Sequence, residues 1–235
     1  MKKLRWLVTI FALGSGVTAI RADTYSYVTN SFVGSLSSPQ DSIEFAFTLP
    51  VPGTVTLQTY GFGGGTNAAG AVISPGGTDP FLAIFLGTGS GATILTDGSG
   101  DPYGTSLDLS NYGNPDFVGC GPAGTPSIGG SPQCGDISMT IPSLAVGSYT
   151  VVLSDGQYVA NAVFDNGSLG EGFADFTGNA FCNISINGVD CPNTSGAYAL
   201  DITTPVPETG TLALLGSILI GLIVLYCRPG APFRP

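Results

Sequence analysis

Between its two ends this chain offers carboxylates as its only charged side chains. All sixteen acids lie between Asp23 and Glu208. The six basic residues are Lys2, Lys3, Arg5, Arg21, Arg228 and Arg234, and there is no histidine. General acid–base catalysis near neutrality draws mostly on His, Lys or a carboxylate tuned by its surroundings. A Ser–His–Asp triad, a Ser–Lys pair, an Arg clamp on phosphate and a His-ligated metal are therefore all excluded from residues 23–208. A two-carboxylate glycosidase remains open. The only tryptophan is Trp6, so a sugar ring would have to stack on tyrosine. The acids also suit a hard cation, which takes several oxygen ligands. Asp97-Gly98-Ser99-Gly100-Asp101, with Asp108 downstream, sets carboxylates on a Gly-rich loop, and Asp79 and Asp41 lie near turns. These residues read either as a Ca²⁺ site formed by Asp79, Asp97, Asp101 and Asp108 or, more plainly, as a solvated acidic turn. No glutamate closes a twelve-residue EF-hand loop.

The charge imbalance also selects partners. A surface without cations repels nucleic acid and anionic lipid heads, so neither is an expected ligand. Cysteine is the other reactive type. Cys120, Cys134, Cys182 and Cys191 lie between the ends, an even count that reads as disulfides in an exported chain. Three connectivities are open, and pairing sequence neighbours is the simplest. With no His and no Cys-x-x-Cys, a zinc site is disfavoured.

The elements that would position these groups are short strands between turn signals. Ile43, Phe45, Phe47 and Leu49 alternate with polar or small residues until Pro50. Residues 54–60 alternate after the turn at Pro52-Gly53. Residues 81–86 are continuously apolar, as in a strand covered on both faces. Residues 137–141, 148–153 and 197–202 supply further candidates, and the whole reads as an all-β sandwich. The Gly-rich connection at 61–77 is no phosphate cradle, because no Lys-Ser/Thr and no helix pattern follow it. It reads as a tight loop that needs positive φ. Residues 203–211 read as an extended linker with a sorting motif.

The ends carry addresses. Lys2, Lys3 and Arg5 precede an apolar run that closes on the small Ala22, which reads as a signal peptide over residues 1–22. Residues 212–227 form a second apolar run, about 24 Å long as a helix, near the lower limit for crossing a hydrocarbon core. It reads as a single transmembrane helix, and residues 228–235 as a short basic tail. Residues 23–202 would then be one secreted domain.

Val206-Pro207-Glu208-Thr209-Gly210-Thr211-Leu212-Ala213-Leu214-Leu215-Gly216 resembles a PEP-CTERM sorting signal, with Thr209 in place of the second proline and only Arg228 and Arg234 for the usual arginine cluster. The resemblance implies that an exosortase-type membrane protease recognises Val206, Pro207 and Glu208 and releases or re-anchors the protein at the cell surface. The same letters are similar to the Leu-Pro-x-Thr-Gly sortase signal, with Val206 replacing leucine, which would mean wall attachment instead. Asp41-Ser42-Ile43-Glu44-Phe45, Gly53-Thr54-Val55-Thr56-Leu57, Asp79-Pro80-Phe81-Leu82 and Gly147-Ser148-Tyr149-Thr150-Val151, in that order, resemble the pre-peptidase C-terminal type of β-sandwich. That likeness implies a jelly-roll-like accessory module, not an enzyme.

The expectation is an exported, surface-sorted, non-catalytic protein that binds exopolysaccharide or another surface protein. It would pass through the inner membrane by its C-terminal helix and end at the cell surface or outside.

Overall fold

The computed structural model describes residues 25–106, 118–120, 135–181 and 195–207. The expected signal peptide, transmembrane helix and basic tail lie outside these residues. Among the described residues, no helix is long and apolar enough to cross a membrane.

Strands dominate, as the short runs between turns predict. In chain order they are β1 (Tyr25–Ser35), β2 (Ser42–Leu49), β3 (Gly53–Thr59), β4 (Gly65–Thr66), β5 (Val72–Ile73), β6 (Pro80–Leu86), β7 (Thr93–Ile94), β8 (Gly104–Ser106), β9 (Val118–Cys120), β10 (Ile137–Leu144), β11 (Gly147–Asp155), β12 (Tyr158–Ala160), β13 (Phe173–Asp175) and β14 (Ala197–Pro207). One sheet runs β1-β14-β3-β10-β9 and the other β2-β11-β6-β7, with β8 also on β6. Every pairing in both is antiparallel. The chain is all-β.

The two sheets share one core. Val55 and Leu57 of β3, Met139 and Ile141 of β10, and Leu200 and Ile202 of β14 meet Phe45 and Leu49 of β2, Leu82 and Ile84 of β6, and Val151 and Leu153 of β11. Period-2 alternation puts each set on one face of its strand. Partly buried Ile43 and Phe47 complete the β2 stripe read from the sequence.

Strand β6 shows why an unbroken apolar run implies two covers. Leu82 and Ile84 face the shared core, while Phe81, Ala83 and Phe85 enter a second cluster with Val152, Val159, Val163 and Leu169. That cluster is roofed by β12, a short helix α1 (Ala162–Asp165) and a 3₁₀ turn at Leu169–Glu171. Truncating a fully buried Leu such as Leu82 costs about 2–5 kcal/mol.

Two features depart from the sequence reading. Strand β1 was not foreseen: Tyr25–Ser35 lacks apolar alternation, and most of its residues are exposed. It pairs along its whole length with β14. Residues 203–207, read as a linker, are instead the second half of β14, with Thr204 buried. β1 supplies the ladder partner that makes this half a strand, Tyr25 standing opposite Pro207.

Candidate functional site

A cleft of about 590 Å³ opens at one end of the sheets. One wall is the β10–β11 turn. Pro142 has no N–H to donate to a ladder, and the register with β3 shifts between Ile141 and Leu144. Ser143 there takes φ of 58°, in the left-handed region that L residues rarely adopt. The Tyr149 hydroxyl donates to the Ala145 carbonyl at 2.8 Å and ties the turn down. The Tyr149 ring stacks on Phe47, centroids 5.6 Å apart.

The opposite wall runs from Leu95 to Gly98 and returns at Tyr103. Backbone bonds lock it to β6: Leu95 N donates to Ile84 O, and Ile84 N to Tyr103 O. Leu86 and Val146, 48 % and 60 % exposed, form an apolar rim. Asp97 is the only carboxylate among the lining residues. Its Oδ1 accepts Ser99 N at 2.8 Å and Asp101 N at 2.9 Å, so it organises its own turn. Burial, and then the charge of Asp97, push the Tyr103 phenol above its usual pKa.

Asp79 stands elsewhere, buried just before β6, where its carbonyl accepts Gly156 N at 2.8 Å. Asp101 is exposed beside Asp97. Among the described residues no three His, Cys, Asp or Glu side chains gather as a metal group, so Asp79, Asp97 and Asp101 are not brought together. Asp41 Oδ2 accepts from Ser37 N, Ser37 Oγ and Ser38 N. Asp108, Cys134, Cys182, Cys191 and Glu208 lie outside the described residues, as does the side chain of Cys120. Val206 and Pro207 are in β14.

The carboxylates that shape the molecule most were not singled out from the sequence. Asp136, fully buried, accepts Thr59 Oγ1 at 3.0 Å, Phe62 N at 3.2 Å and Gly63 N at 2.7 Å. Asp201 Oδ2 accepts Ala68 N at 2.8 Å. Together they pin the Gly-rich connection, whose Gly64, Gly65, Gly70 and Gly76 all take positive φ, as its composition predicts. Desolvation raises the pKa of Asp136 against the lowering effect of its hydrogen bonds. Burial, with Asp201 and Asp136 nearby, pushes the Tyr60 phenol up to about 12. One signal was available. Asp201 stands inside the run from Ala197 to Ile202, where an acid with no cation in the domain must find N–H or O–H donors; Asp136, just before β10, carries no such mark.

The chain matches no protein-family model and no curated protein.

Proposed function

We propose that this is an exported, surface-sorted, non-catalytic protein whose jelly-roll-like domain binds exopolysaccharide of the surrounding matrix. The observation that carries the reading is the cleft: an apolar rim of Leu86 and Val146, two tyrosines in the walls, and one carboxylate committed to its own turn. Apolar rims suit the C–H faces of neutral sugars. A glycosidase needs a second carboxyl group across the scissile bond.

Residues 1–22 export the chain, and residues 212–227 hold it in the inner membrane until an exosortase-type protease acts at Val206, Pro207 and Glu208. Cys120, Cys134, Cys182 and Cys191 form disulfides after export.

The test takes the full-length chain in detergent through a panel of neutral and acidic polysaccharides, reading co-sedimentation and new reducing ends. A neutral polymer should co-sediment without hydrolysis, and Val146→Asp should abolish binding. Hydrolysis that disappears with Asp97→Asn would replace this reading with an enzyme. In cells, replacing Pro207 and Glu208 by Ala should leave the tail attached; unchanged processing and location would remove the sorting step.

A further inference from the structure

A strand at the edge of a sheet offers its backbone to any second strand. Folded proteins blunt such edges with charge, proline, bulges or brevity. Among the described residues, one sheet ends in β1 and β9, and the other in β2 and the pair β7 and β8. β7, β8 and β9 are only two or three residues long. β2 carries the exposed Glu44, and Pro50 follows it. β1 has none of these devices. Its eleven residues, Tyr25–Ser35, include no charge and no proline, and they pair with β14 without a break in register. Residues 26–30 are all exposed, so both faces of that stretch stand open.

The apolar residues of β1 are also arranged about its centre. Asn30 is the middle residue. Antiparallel pairing with an identical strand, centred there, sets Tyr27 opposite Val33 and Val28 opposite Phe32. Tyr27 and Val33, 55 % and 60 % exposed, would meet on the face turned away from the core. Val28, 45 % exposed, would meet Phe32 on the other face, where Phe32 packs on the core. Both are aromatic-to-β-branched pairs, a combination that favours cross-strand contact. An interface between two identical copies needs this self-complementarity, since one patch must meet itself. Charge points to the same place. Residues 25–207 hold acids and no Lys, Arg or His, so copies repel one another wherever acids face outward. β1 is free of acids, and Asp201 on the neighbouring β14 is buried, with Oδ2 accepting Ala68 N.

We propose that β1 is a self-association edge, through which two copies of this chain pair antiparallel about a two-fold axis at Asn30. Their two β1-edged sheets become one continuous sheet across the axis. The contact is a single strand wide, so the dimer is weak and dissociates on dilution.

Sedimentation of the full-length chain in detergent, over a range of concentrations, tests this. The wild type should pass from monomer to dimer as concentration rises. Asn30→Asp and Asn30→Lys should each weaken dimerisation about fivefold or more, because like charges then stand directly opposite at the axis. An equimolar mixture of the two variants should dimerise at least as well as the wild type, a rescue that misfolding cannot produce. A wild type that stays monomeric, or variants that associate as the wild type does, would overturn the proposal. So would a mixture that stays dissociated, which would leave the edge to a strand of different sequence.

Discussion

Tyr25 and Pro207 are Cα partners at the end of the β1–β14 ladder, so the first and last described residues are neighbours across one antiparallel register. Val206 and Pro207 are thus held as strand at that end of the ladder. A protease that reads an extended substrate needs that end of the ladder to open. Thr29 and Thr203, four residues inward, are also partners, with hydroxyl oxygens 2.8 Å apart. Replacing both with Cys and oxidising should cross-link the strands. Such a bridge closes a loop of well over a hundred residues and raises stability by about 2–4 kcal/mol. Tail processing followed by pulse-chase should slow when the bridge forms and recover on reduction.

Asp136 accepts three donors in a buried place, and Asp136→Ala would leave Thr59 Oγ1, Phe62 N and Gly63 N without it. Each abandoned buried group costs about 1–3 kcal/mol, so the expected loss is on the order of 3 kcal/mol or more by urea unfolding. The pH dependence has the opposite sign to that of a salt-bridged acid. Its native pKa is raised above the ordinary aspartate value of 3.8, so the folded chain holds the proton more readily than the unfolded one. This contribution is fully present below the unfolded value and is lost as pH rises through the raised native value. Wild type should therefore gain stability relative to Asp136→Asn as pH falls through that window. Equal pH slopes for the two proteins would disprove it.

Tyr60 makes the alkaline counterpart. Its phenol is pushed from 10.0 up to about 12, by burial first and then by Asp201. The neutral form is favoured in the folded state, so the contribution is complete below the unfolded pKa and disappears as pH rises through the native one. Tyr60→Phe removes the titration. The stability gap between wild type and this variant should narrow as pH climbs above 10.0, measured by denaturation at stepped pH. Tyrosinate absorbance should also show one fewer late-titrating group in the variant.

What could be read in advance followed from how strongly a residue's surroundings are written into its neighbours. Ile43, Phe45, Phe47 and Leu49 announce a one-sided strand, and the unbroken run through Phe85 announces a two-sided one. Strand β1 carried no such mark, because Tyr25–Ser35 is a largely exposed edge whose place is decided by its partner β14. The acids show the same division. Asp97 was conspicuous among glycines, and its turn does line the cleft. Asp136 and Asp201 became important only when folding brought Gly63 and Ala68 to them across separations of 73 and 133 residues. The hydrogen bond from Gln40 Nε2 to Thr177 Oγ1 is equally non-local, across 137 positions.

The Gly-rich connection separates two costs that usually arrive together. Gly64 takes φ of 74° and Gly70 takes 80°, so a side chain is strained at both. Their surroundings differ. A Cβ on Gly64 would stand 2.8 Å from Ile73 O and from Pro75 N, both backbone atoms, whereas one on Gly70 would meet nothing within 4 Å. Gly70→Ala should cost only the backbone penalty, about 1–2 kcal/mol. Gly64→Ala must also push aside the backbone at Ile73 and Pro75, across the connection that Asp136 and Asp201 pin at Gly63 and Ala68, so its cost should exceed that of Gly70→Ala by at least about 1 kcal/mol. Urea midpoints of the two variants, compared at equal m-value, measure the difference directly. Equal midpoints would mean that the loop shifts freely, and the two carboxylates would then not be holding it.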